Sequence, residues 1–188
     1  MAIQYDSVRD AIRAKLDEEV PRKFEGFAID RGSVARVSYI ASRETEVGTL
    51  YIFLHPIVSS NREAFTFEGA WNIAPEYPIG CLPSRLLTAD GRVDAAIFQL
   101  SRARFRISRL KGMLKDFWWE VSQRPSLDDI SEIASLSREE AESLEQATLQ
   151  QRLPVIERAV RDALLDAHRL LMPFYDRLLV IKGRSSHT

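Results

Sequence analysis

The chain has 188 residues, the size of one ordinary domain with room for a helical appendage. Hydrophobic residues make up 45% of it and charged residues 28%, a balance that excludes disorder and collagen-like structure. Lysine and arginine total 26 against 27 acidic residues, a formal charge of −1. The chain is therefore not basic overall, as proteins that coat nucleic acid or anionic membrane are, although local patches remain open.

The first ten residues hold no apolar run and meet charge by Asp6, so no secretory leader is expected. The most apolar stretch, 48–58, contains His55 and Pro56 and falls far short of the roughly 18 apolar residues of a spanning helix. Cys81 is the single cysteine, which excludes an intramolecular disulfide, a Cys-rich zinc site and an iron–sulfur cluster. A reducing cytoplasm is the expected location.

In chain order, residues 6–20 predict a helix. Asp6 or Ser7 caps it, Val8, Ala11, Ile12, Leu16 and Val20 fall at three-to-four spacing, and Pro21 ends it. The period then changes. A short strand is predicted over 24–29, a turn at 31–33, and strands over 34–42 and 49–58, joined by a polar loop ending in Gly48. Residues 64–73 alternate: Phe65, Phe67, Gly69 and Trp71 on one side, Thr66, Glu68, Ala70 and Asn72 on the other. An antiparallel meander of these strands is the simplest result.

Pro75, Pro78, Pro83, Gly80 and Gly91 oppose regular structure over 74–91, which reads as a long surface excursion. Helical spacing over 93–100 is weak, whereas 103–107 alternates as a strand does, and the aromatic 116–121 reads as another. The remainder turns helical. Ser126 heads a short acidic segment, and Ser137 with Glu140 makes a capping box. Pro154 fits a first helical turn, and Ile156, Val160, Ala163, Leu164, Ala167, Leu170, Leu171, Phe174 and Leu178 form a long apolar stripe. Pro173 is expected to bend that helix, and the tail from Gly183 to fray.

The expected fold class is α+β: one domain over 1–188, helix plus sheet over 1–125 and a helical part over 126–188. The sheet is mainly antiparallel with about four to six strands, and the helices pack on one face. Phe65-Thr66-Phe67-Glu68-Gly69, Arg104-Phe105-Arg106-Ile107, Asp116-Phe117-Trp118-Trp119 and Met172-Pro173-Phe174-Tyr175 together resemble a bacterial family known only as a domain of unknown function. The resemblance runs from the first helix to the last. It implies a small helix-and-sheet fold and no established catalytic residue.

Among the candidate site residues, Arg102, Arg104 and Arg106 share one face of their strand, and Arg109, Lys111 and Lys115 extend the charge. Such a row grips phosphate or carboxylate, or is the wet face of a strand, or pairs with the acidic segment holding Asp128, Asp129, Glu132, Glu139, Glu140, Glu142 and Glu145. Charge runs are usually solvated faces, which favours a structural role. Trp118 and Trp119 must point to opposite faces of a strand, so with Trp71 they divide between core packing and a partner anchor. Glu68 and Asn72 share a strand face as a polar pocket floor.

No second acid or base in a known motif accompanies Glu68. His55, His168 and His187 lack ligand spacing, Cys81 has no identifiable histidine partner, and no phosphate-binding glycine motif or GxSxG elbow is present. No metal and no cofactor are implied.

The first functional reading is a non-catalytic protein-interaction module of adaptor or immunity type, working in the bacterial cytoplasm. The second is a small-ligand binder or enzyme with a pocket between the sheet and the 74–91 loop, using Glu68, Trp71, Asn72 and Arg106. The third is nucleic-acid binding through the stripe from Arg102 to Lys111. The expected partner is thus another protein rather than nucleic acid or membrane, and the oligomeric state stays open.

Overall fold

The computed structural model describes residues 7–30, 39–59, 62–78, 86–113, 119–123 and 136–185. Ser7 caps helix α1 (Val8–Lys23), its hydroxyl accepting from the Asp10 amide at 3.2 Å. Ala11, Ile12, Leu16 and Val20 are its buried stripe. Pro21 does not end α1, contrary to expectation. Its ring suits helical φ and removes a single donor in the last turn, while the Phe24 amide closes on the Val20 carbonyl at 2.9 Å.

The strand expected at 24–29 is shifted. Phe24 is the C-cap of α1, Gly26 turns the chain with φ of 79°, and strand β1 is Ala28–Asp30. Strand β2 (Tyr39–Thr45), strand β3 (Gly48–Ser59) and strand β4 (Arg62–Asn72) follow, each antiparallel to its predecessor. The turn expected at 31–33 lies outside the described residues. Thr45 pairs with Gly48 across a tight turn, and a Cβ on Gly48 would run into the Asn72 carbonyl.

Strand β4 occupies the middle of the sheet. Beside β3 on one edge, it shares the other between strand β5 (Arg102–Arg106), which pairs with 68–72, and strand β6 (Trp119–Gln123), which pairs with 62–65. The sheet thus has six strands and is antiparallel throughout, so the α+β expectation holds. Residues 95–99 form a 3-10 turn, and Ile107 leaves the strand pattern to open the one-turn helix α2 (Ile107–Leu110).

Residues 138–185 form one helix, α3 (Arg138–Ser185), not a series broken at proline. The capping box is present: the Ser137 amide donates to Glu140 Oε2 at 2.9 Å. Pro154 lies inside the helix rather than at a first turn, and the helix continues through Pro173 and Gly183. Both prolines are exposed, as are Gln150 and Arg169, whose carbonyls they leave without a helical donor. The freed carbonyls thus belong to solvent-exposed residues, and packing on the buried side keeps the helix running.

The excursion expected at 74–91 does not simply run over the surface. Tyr77 is half-buried, Pro78 and Leu86 are buried, and residues 79–85, with Cys81, lie outside the described residues.

Helices α1 and α3 cover one face of the sheet, and their apolar stripes share a single core with Phe65, Phe67, Trp71, Phe105 and Trp119. Each fully buried Leu or Phe there contributes about 1.5–3 kcal/mol. The closest approach is at Gly69. A Cβ built there would lie 2.5 Å from Leu171 Cδ2, 2.8 Å from Phe105 Cζ and 3.0 Å from the Tyr175 hydroxyl. That space lets Tyr175, fully buried on α3, put its hydroxyl against the sheet backbone. There it accepts from the Ala70 amide at 3.1 Å and donates to the Tyr51 carbonyl, two residues that face one another across β3 and β4.

Gly69→Ala should therefore destabilise the fold by about 1–3 kcal/mol through overpacking. Tyr175→Phe should cost about 1–3 kcal/mol by removing a partner from two buried backbone groups. Urea denaturation followed by tryptophan fluorescence measures both.

Candidate functional site

The other face of the sheet is where the sequence places Glu68, Asn72 and the arginine stripe. Alternation brings Thr66, Glu68, Ala70 and Asn72 to this side of β4 and Arg102, Arg104 and Arg106 to this side of β5. The register sets Glu68 opposite Arg106 and Ala70 opposite Arg104, so one carboxylate lies directly across from one guanidinium and diagonal to another. Arg104 Nε is 2.8 Å from Glu68 Oε2, and Arg106 Nη1 is 2.9 Å from Glu68 Oε1. Both contacts lie off the N–H axes, so charge attraction rather than linear hydrogen bonding carries them. Glu68 has 0% exposure, and the two arginine side chains keep 21% and 20%.

Aromatic residues complete the cluster. The Tyr77 hydroxyl donates to Glu68 Oε2 at 3.4 Å, its ring stacks on Phe53 at 5.2 Å, and it meets Tyr51 edge-on at 5.3 Å. Burial, followed by the Glu68 charge, raises the Tyr77 phenol well above its ordinary value. Burial raises Tyr175 likewise. The segment carrying Tyr77 is latched down by two further side chains. The Tyr51 hydroxyl donates to the Pro75 carbonyl at 2.8 Å, and Asn72 donates through Nδ2 to the Glu76 carbonyl at 2.6 Å. Asn72 Oδ1 also accepts from the Ala74 amide at 3.1 Å.

Of the sequence candidates, the structure therefore brings Glu68, Arg104 and Arg106 together. Asn72 is a latch for the 73–78 segment. Trp71 points to the opposite face, between Phe105 and Phe174, with its indole N–H towards the Leu100 carbonyl at 3.5 Å. Trp119 is buried and stacks on Phe65 at 5.9 Å. Trp118 and Lys115 lie outside the described residues.

The basic stripe divides. Arg102 is exposed, Arg109 reaches the Met113 carbonyl at 3.4 Å, and Lys111 pairs with Asp166 of α3 at 2.7 Å. Of the acidic segment, Glu140 caps α3 and Glu142 pairs with Arg138, while Asp128, Asp129 and Glu132 lie outside the described residues. His168 sits against the Phe24 ring, and His187 lies outside the described residues. Among the described residues, no group of three or more His, Cys, Asp or Glu is placed to hold a metal ion, and no helix is long and apolar enough to cross a membrane.

A groove of about 560 Å³ opens at the end of the sheet, between the β2–β3 turn and the start of the 73–78 segment. Glu44, Glu46, Val47, Ile73, Pro75 and Lys182 are among its walls; Glu68, Trp71, Asn72 and Arg106 are not. Ile73 is 55% exposed. Lys182 donates to the Leu100 carbonyl at 2.8 Å, and burial lowers its ammonium below the ordinary value. Sequence reading missed this rim because it gathers residues from β2, β3, α3 and the 73–78 segment, and missed Tyr77 because it lies in no periodic segment. Compared with known proteins, the chain matches no family model, and no curated protein and no solved structure is significantly similar to it.

Glu68→Gln should destabilise the fold by about 3–5 kcal/mol, since it strands two largely covered guanidiniums. The exposed Arg102→Gln should stay within about 0.5 kcal/mol of the parent. The tyrosines set a pH limit. In the unfolded chain their phenols ionise near pH 10, while the folded state holds both protons to higher pH. Stability is therefore full below pH 10 and falls above it, by up to about 1.4 kcal/mol per pH unit for each phenol. Tyr77→Phe should flatten that fall in denaturation curves recorded from pH 7 to 11.

Proposed function

We propose that this chain is a non-catalytic protein-interaction module of the adaptor or immunity type, acting in the cytoplasm and binding its partner at the groove rim. One observation carries the reading: the side chains best suited to chemistry are occupied in holding the fold. Glu68 offsets two guanidiniums, Asn72 secures the 73–78 segment, and Trp71 and Trp119 fill the core. At the sheet end there is instead an apolar edge, the exposed Ile73 and Pro75 with the half-buried Val47, beside Glu44, Glu46 and Lys182, whose ammonium is engaged by the Leu100 carbonyl. An apolar centre rimmed by charge is the arrangement of a protein contact, and it suits a partner segment with an apolar anchor and basic flanks.

The small-ligand reading has the groove's volume in its favour, since small-molecule sites span about 300–1,000 Å³. Against it, the polar groups on which that reading rests do not line the groove. The nucleic-acid reading is weakened by the ion pairs of Arg104 and Arg106 with Glu68 and of Lys111 with Asp166.

The test is affinity capture from the native lysate with the tagged full chain and with Ile73→Arg, using Glu157→Arg on the exposed side of α3 as control. A stoichiometric protein should be recovered by the parent and the control and reduced at least about tenfold by Ile73→Arg. Recovery of no stoichiometric protein, or equal recovery by all three, would remove the reading.

A further inference from the structure

The exposed face of α3 has a symmetry of its own. Gln151, Val155, Arg158, Asp162, Leu165 and Arg169 are spaced four, three, four, three and four apart, which aligns them along one side of the helix. All six are exposed, and Val155 and Leu165 keep 54% and 52% of their surface. Singly exposed apolar residues are ordinary on a soluble protein. Here, however, the apolar pair, the charged pair and the polar pair are all centred on the same point, the level of Val160. Val155 and Leu165 lie five residues to either side, Arg158 and Asp162 two, and Gln151 and Arg169 nine.

We propose that a second copy of this chain docks on this face, with its α3 antiparallel and the two-fold axis passing at Val160. A two-fold contact requires a surface complementary to itself. In this register Val155 meets Leu165 of the second copy, Arg158 meets Asp162, Gln151 meets Arg169, and each contact occurs twice. The parallel arrangement would instead oppose Arg158 to Arg158 and Asp162 to Asp162, and like charges across a seam are repulsive. The opposed charge pairs select the register, and the two Val155–Leu165 contacts supply its apolar centre. The seam is narrow for a protein interface, so the dimer belongs to the weak, concentration-dependent class. This contact is separate from the groove rim, and its test does not depend on the partner proposed there.

The experiment is sedimentation equilibrium of the full chain over a concentration series at low salt. A mass rising towards twice that of the chain is expected. Arg158→Asp alone and Asp162→Arg alone should each weaken association at least about tenfold, by placing like charges in opposition, and the double exchange should restore it. Both sites are exposed, and circular dichroism verifies that each of the three variants is folded. In a Cys81→Ser background, Val155→Cys with Leu165→Cys should form an intermolecular disulfide on mild oxidation, and Val155→Cys alone should not. A monomer at every concentration, a dimer indifferent to the single exchanges, a double exchange that fails to restore association, or cross-linking through Val155→Cys alone would each overturn the proposal.

Discussion

One buried carboxylate governs the outer side of the sheet. A charge without solvent costs several kcal/mol unless it is paired, and Glu68 has 0% exposure in the middle of β4. The antiparallel register answers that demand, because it places Arg106 directly across and Arg104 on the diagonal. Two long side chains are thereby drawn flat against the sheet, and the Tyr77 hydroxyl closes the remaining side. The 73–78 segment is therefore part of the fold rather than a connector, with Tyr51 and Asn72 fastening it through backbone carbonyls. A cluster built in this way favours specificity of register over adaptability.

The inner side obeys a packing constraint instead. Strand β4 is buried on both faces, so α3 can approach only where a side chain is missing, and Gly69 is that place. Tyr175 uses the opening to bring a hydroxyl to the Ala70 amide and the Tyr51 carbonyl, joining helix and sheet by a polar contact inside an otherwise apolar core. Buried hydroxyls of this kind are costly unless satisfied and specific once they are. Gly69 and Glu68 are adjacent, so two consecutive residues set the chemistry of the two faces.

Among the described residues, the sheet's end and the far side of α3 are two surfaces that lie outside these contacts. At the first, Ile73 and Pro75 are exposed and Val47 half-buried, beside the exposed Glu44 and Glu46. At the second, a helix that buries one stripe necessarily presents another to solvent. These two surfaces differ in character: one is concave with mixed chemistry, the other a helical ridge of alternating apolar and charged residues. Neither draws on the side chains that stabilise the core.

Local pattern in the sequence determined a good deal. Period-two alternation placed Phe65, Phe67 and Trp71 against Glu68 and Asn72, the capping signals started α1 and α3, and the apolar stripe from Ile156 to Leu178 gave the packed side of the long helix. Where a single residue was set against its surroundings, local reading failed. Pro21 argues for a helix end and Pro154 for a helix start, yet both lie inside helices, where tertiary packing repays the one hydrogen bond each removes. Which arginines would meet Glu68, that Tyr77 would return over the sheet, and that Tyr175 would enter at Gly69 depend on strand register and on contacts between residues far apart in the chain. Such contacts leave no periodic signal, because periodicity records which face a residue occupies and not what stands opposite it.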